Sequence, residues 1–230
     1  MADNPLQNVA FASNGATAHG YLARPASGRG PGIIVIQEWW GLVPHIADVT
    51  NRFAREGFVA LAPDLFGGST THDAQEAAQL MRELPPDRAA RDLAGAVDFL
   101  LSHEAVTGSA VGAVGFCMGG GFVLILAAQQ GDRIGAAVPF YGIPPELPDF
   151  RHLTAPVLGH YGEQDTSIPP DKVRELADTV EAQSGRRPEI HFYPAGHAFL
   201  NDENPLGTHD PEQAAVAWRR TIDFLHATLG

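Results

Sequence analysis

Short apolar runs alternate with longer amphipathic ones along this chain. PGIIVIQEWWG (31–41) is a strand-like run entering a loop, and HIADVTNRFAREG (45–57) spaces its apolar residues at helical intervals before stopping at a glycine. FVALAPDLFGG (58–68) repeats the strand-and-turn pattern, helical stretches follow around 73–84 and 87–103, and VGAVGF (111–116) is strand-like again. Beyond it, IGAAVPFYG (134–142), TAPVLGHYG (154–162) and RPEIHFYPAG (187–196) read as strands. Helices near 119–130 and 171–184 separate them, and 210–230 closes with another. Continuous Val, Ile, Ala and Leu runs mark strands buried on both faces. Their alternation with helices implies right-handed crossovers in a mostly parallel, doubly wound α/β sheet with helices on both faces. ATAHGYLARP (16–25) reads as an antiparallel edge hairpin. With no repeat, linker or low-complexity block, residues 1–230 are expected to form a single domain.

Composition narrows the setting. The single cysteine cannot make an internal disulfide, so a secreted, cross-linked scaffold is not expected and a cytoplasmic address fits. The N-terminal MADNPLQNVAFASN has neither the basic start nor the apolar stretch of a signal peptide. No 18-residue apolar window occurs anywhere, so no membrane association is expected. Fifteen Lys and Arg against 27 Asp and Glu give a formal net charge of -12, which repels nucleic acid and anionic membrane. No cofactor or metal is expected, and the molecule is expected to be a monomer or small homo-oligomer.

The one cysteine stands in GFCMGGG (115–121), directly after an apolar run. In an open α/β sheet, ligands bind beyond the carboxyl ends of the strands, which is where such a residue falls. Gly115-Phe116-Cys117-Met118-Gly119 has the Gly-x-nucleophile-x-Gly form of a sharp strand-to-helix elbow, with cysteine where serine is usual. The alternative for a free cysteine is a small buried thiol packed like alanine. A helix beginning at Met118 favours both a thiolate and a developing oxyanion through its dipole and unpaired N–H groups.

A nucleophile on this elbow is followed in chain order by an acid and then a histidine. Asp165, in HYGEQDTSIPP, follows one strand-like run, and His197, in FYPAGHAFL, follows the next. Asp171 reads more simply as an early helix acid. The other nine histidines lie early in the chain, inside strands, in loops that no strand feeds, or on the last helix. Glu38 ends IIVIQE at the same sheet edge, where a carboxylate can accept the thiol proton. The backbone N–H groups of Trp39 and Met118 are the natural pair of oxyanion donors.

These residues resemble the dienelactone hydrolase (carboxymethylenebutenolidase) family of the α/β-hydrolase superfamily. The likeness runs through QEWWG (37–41), FVALAPDLFG (58–67), VGFCMGG (114–120), GEQDTSIP (162–169) and GHAF (196–199). It implies a Cys117–His197–Asp165 triad in which the thiol rests against Glu38, pairs with His197 as substrate binds, and attacks an ester or lactone carbonyl to give an acyl-thioester. Relatives hold a substrate carboxylate with arginine four residues after the histidine, where this chain has Asn201, and with an arginine and a tyrosine that fall near Ala74 and Ala78. Arg82 is the nearest remaining cation. The stretch from Tyr141 to Thr154 is too short for a lid domain. An open, shallow site lined by Trp39, Trp40, Phe116, Tyr141 and Phe199 is therefore expected, although aromatic residues in those places serve equally as core packing. The implied substrate is a small ester or lactone. The alternatives are a carboxylesterase for neutral esters, a non-catalytic binding protein, or a thiol redox sensor on the same fold.

Overall fold

A computed structural model describes residues 4–230, which divide into two compact units at Val111/Gly112. The first opens with a hairpin of β1 (Val9–Ser13) and β2 (Ala16–Ala23), whose register runs from Val9 against Gly20 to Ser13 against Ala16. Asn14 and Gly15 turn it with φ of 41° and 86°, the left-handed pair that a tight two-residue hairpin loop requires. The hairpin thus lies earlier than 16–25, and β2 is not an edge. It pairs on its other side, antiparallel, with β4 (Val59–Pro63), which runs parallel to β3 (Gly30–Ile36). The order within this unit is β1-β2-β4-β3. Ile33 to Ile36 are fully buried, as an uninterrupted apolar strand demands. Helix α1 (Pro44–Arg55) buries Ile46, Val49 and Phe53, the i, i+3, i+7 positions of one face. Helices α2 (Ala74–Glu83) and α3 (Pro86–Ser102) complete the unit, α2 being capped by the Asp73 carboxylate.

The boundary falls within β5 (Val106–Phe116), which starts five residues before the apolar run because its first half, VTGSA, is polar and largely exposed. In the second unit the strand order is β5-β6-β7-β8, with β6 (Ile134–Phe140), β7 (Leu158–Gly162) and β8 (Glu189–Tyr193) mutually parallel. Its helices are α4 (Met118–Gln130), α5 (Pro170–Ser184) and α6 (Pro211–Leu229). The connection from β6 to β7 carries only a 3-10 turn at Phe150–His152, so no lid domain is inserted there. The strands are mixed but mostly parallel and alternate with helices, an α/β fold of the expected class. No helix among the described residues is long and apolar enough to cross a membrane.

Candidate active site

Cys117 joins β5 to α4 at φ 53° and ψ −117°, a conformation that costs a non-glycine residue about 1–3 kcal/mol and persists only where its surroundings over-determine it. They do so here. The Cys117 N–H donates to the Phe140 carbonyl at 3.0 Å, and its own carbonyl accepts from the Gly120 N–H at 3.0 Å. The strand end and helix start approach so closely that a Cβ on Gly115 would lie 2.3 Å from the Gly119 oxygen. A Cβ on Gly142, just past β6, would lie 2.1 Å from the Cys117 oxygen. Gly115 is legible in the motif. Gly142 is not, since nothing in the local sequence reveals that the next strand's end touches the elbow. Met118 is the first residue of α4, where backbone N–H groups have no partner within the helix.

His197 stands on the turn after β8, followed by Ala198 at φ 57°. Its Nδ1 lies 2.7 Å from Asp165 Oδ2 and its Nε2 lies 3.2 Å from Cys117 Sγ. Asp165 is held in turn: its side chain is wholly buried, and Oδ1 accepts from the Ser167 and Ile168 N–H groups at 2.8 and 2.9 Å. The Thr208 hydroxyl donates to the His197 carbonyl. Burial works against a charged imidazole. The hydrogen bonds to Asp165 and Cys117, and the charges on both, outweigh it and push the His197 pKa up from 6.5 to about 10. The family resemblance implies a sulfur that turns to His197 as substrate binds; in this structure the two already meet.

The remaining expected site residues divide differently. Phe116, Tyr141 and Phe199 are each 0% exposed, which corrects the expectation that they line an open site. Their rings are spent on one another, with Phe116 and Tyr141 at 6.3 Å and Tyr141 and Phe199 at 5.5 Å, and Tyr141 meets the His197 ring edge-on at 5.3 Å. Asn201 is likewise buried, its side-chain oxygen accepting from the Glu203 N–H at 3.1 Å. It staples the loop after His197 and exposes almost no surface.

Glu38, Trp39, Trp40 and Arg82 belong to the first unit. Glu38 is buried just beyond β3, and Trp39 is half-buried and meets Trp40 edge-on at 5.0 Å. Trp40 is 3% exposed and stacks on His72, so it too packs rather than lines. Arg82 is exposed in the last turn of α2, where a cation complements the helix dipole. Among the described residues, no group of three or more His, Cys, Asp or Glu side chains is arranged to hold a metal ion.

The model of the dienelactone hydrolase family matches residues 18–229, a span that carries the elbow, the acid and the histidine. The chain belongs to the dienelactone hydrolase family. It is 36% identical to Protein usf of Aquifex pyrophilus, over 97% of this chain and 99% of that one. It is 32% identical to a protein of Aquifex aeolicus named "Putative carboxymethylenebutenolidase", with the same two coverages. A solved dienelactone hydrolase-like promiscuous phosphotriesterase from metagenomic libraries superimposes with a TM-score of 0.85 at 26% identity, covering 96% of this chain and 97% of that one. Membership of the dienelactone hydrolase family makes this chain a hydrolase on the α/β-hydrolase fold.

Proposed function

We propose that this member of the dienelactone hydrolase family cleaves small esters or lactones through Cys117, His197 and Asp165, by way of an acyl-thioester on the cysteine. The observation that carries the reading is the position of the His197 ring, with Asp165 at 2.7 Å on one nitrogen and the Cys117 sulfur at 3.2 Å on the other. Both contacts lie within the reach that proton transfer needs. With its pKa pushed up to about 10, the imidazole is basic enough to take the thiol proton as the sulfur attacks.

The thiolate attacks the carbonyl carbon and forms a C–S bond, and the carbonyl electron pair moves to oxygen. The Met118 N–H, at the positive end of α4, is the donor we assign to that oxyanion. Collapse re-forms the carbonyl and breaks the single bond from the acyl carbon to the alkoxy oxygen, and the imidazolium gives its proton to the departing alkoxide, which in a lactone stays tethered as the enol or alcohol. Water then attacks the thioester while His197 takes its proton, the C–S bond breaks to release the acid and the thiolate, and the imidazolium returns its proton to the sulfur to restore the thiol. Asp165 accepts from Nδ1–H throughout, which fixes the tautomer and offsets the charge on the ring.

The test is a panel of small esters and lactones, with and without a free carboxylate, followed by mass spectrometry of the quenched protein. Turnover with an acyl mass on the peptide holding Cys117 is expected. Turnover that survives Cys117→Ala would remove the cysteine from the mechanism. Absence of turnover combined with fast, peroxide-specific oxidation of Cys117 would favour the thiol-sensor alternative.

A further inference from the structure

β8 ends in Tyr193, whose hydroxyl joins the buried His160 and Thr221 to the exposed Arg220 in a polar chain that the proposed chemistry does not use. Tyr193 Oη lies 2.8 Å from His160 Nδ1 and 3.0 Å from an Arg220 guanidinium nitrogen. The other nitrogen of His160, Nε2, lies 3.0 Å from the Thr221 hydroxyl, which is 2.9 Å from the Ala217 carbonyl. With a neutral imidazole, only one assignment of protons satisfies every contact. The Ala217 carbonyl can only accept, so it takes the single Thr221 proton, and His160 Nε2 must then be the donor to Thr221. Nδ1 is left as an acceptor, filled by the Tyr193 O–H, whose oxygen accepts from Arg220. His160 is thus the neutral Nε2–H tautomer. Burial, then the charges on His191 and Arg220, hold its pKa well below the usual value, in agreement.

The other side of Tyr193 faces the site. Its ring packs on Phe199 at 5.1 Å, Phe199 on Tyr141 at 5.5 Å, and Tyr141 on the His197 ring at 5.3 Å. Between His197 and Phe199 stands Ala198 in its left-handed conformation, so whatever grips Phe199 also holds the turn that aims His197 at the sulfur. The Tyr193 carbonyl accepts from both the Glu163 and Ala195 N–H groups at 2.7 Å. Those two residues open the turns that carry Asp165 and His197.

We propose that Tyr193 is a positioning residue of this site: with its hydroxyl clamped between His160 and Arg220, its ring is the fixed wall that sets where His197 stands relative to Cys117. The role rests on the triad reading above. Tyr193→Phe keeps the ring and removes the clamp. Its kcat is expected to fall about ten- to hundredfold with KM within about twofold, since a small misplacement of a reacting group costs rate more than binding. Alkylation of Cys117 by iodoacetamide at neutral pH is expected to slow, and the ¹⁵N resonances of His160 and His197 to move together. Wild-type His160 is expected to show the Nε2–H pattern.

A folded Tyr193→Phe with wild-type kcat and alkylation rate would overturn the role, as would a loss of activity that merely tracks the unfolded fraction. A wild-type His160 in the Nδ1–H form would break the chain itself. Should Tyr193→Phe fail to fold, Thr221→Val opens the far end of the same chain and is judged by the same readouts. If the wild type turns over no ester, the triad reading fails, yet the alkylation rate and the His197 resonances still decide whether Tyr193 positions His197.

Discussion

Cys117 and His197 face each other across two strained residues, Cys117 itself and Ala198, at φ of 53° and 57°. The hydrogen bond between their side chains therefore reports how well the surrounding loops hold. In the proposed mechanism the three residues act in one sequence of proton transfers, so Cys117→Ala and His197→Ala are each expected to lower kcat by about three orders of magnitude or more, and the double variant to be little worse. Asp165→Asn is expected to cost less than loss of the nucleophile, since the imidazole remains but is less well oriented. Additive losses in single-turnover measurements would show that cysteine and histidine serve separate steps. The raised His197 pKa also has a thermodynamic sign. A histidine whose pKa rises on folding contributes stability that is fully present below pH 6.5 and is lost as pH climbs through about 10. The Tm gap between wild type and His197→Gln is therefore expected to be steady below pH 6.5 and to shift against the wild type from there to pH 10. A shift in its favour over that window would rule out a charged imidazole in the folded site.

Elements explain why some of this was legible in the sequence. Helix α1 and the buried strand β3 declare themselves because period and burial are local properties, and Cys117, Asp165 and His197 do so because each follows a strand and the three come in a known order. β1 is not legible because VAFAS is short and sits beside Asn14–Gly15, which leaves only the second strand of the hairpin readable. The burial of Phe116, Tyr141 and Phe199 is not legible in the sequence, because a ring at a strand end reads the same whether it lines a cleft or packs beneath one. Contacts between distant positions were invisible: His160 and Thr221 are 61 residues apart, and Gly142 meets Cys117 only through the alignment of two strand ends. That meeting is testable. A Cβ at Gly142 would sit 2.1 Å from the Cys117 oxygen and 2.7 Å from the Gly120 Cα, both backbone atoms that cannot swing aside. Gly142→Ala is expected to cost about 1–3 kcal/mol, roughly 2–12 °C of Tm for a chain of this length, and to cut turnover. Gly185→Ala, at the left-handed end of α5 with open space around it, is expected to lose about 1 kcal/mol and leave turnover unchanged. Equal effects of the two on activity would mean that the elbow tolerates the added methyl.

At the scale of the whole molecule the governing quantity is the net charge of -12. Summed over the surface it creates a negative potential that any anionic substrate must approach against, and a neutral one need not. Asn201 is neutral and buried, and Arg82 is exposed at a helix end, so neither is built as a carboxylate anchor. The long-range term should then be visible in the salt dependence. The screening length falls from about 30 Å at 0.01 M ionic strength to about 10 Å at 0.1 M, which removes most of the field beyond the nearest charges. For a lactone bearing a carboxylate, kcat/KM is expected to rise about three- to tenfold between 0.01 and 0.5 M salt, whereas its methyl ester stays flat. Measuring the pair on one preparation cancels any effect of salt on folding or on the Cys117–His197 pair. If kcat/KM for the carboxylate falls with salt instead, a local cation outweighs the global field, and Arg82→Gln is then the variant that asks whether that cation is Arg82.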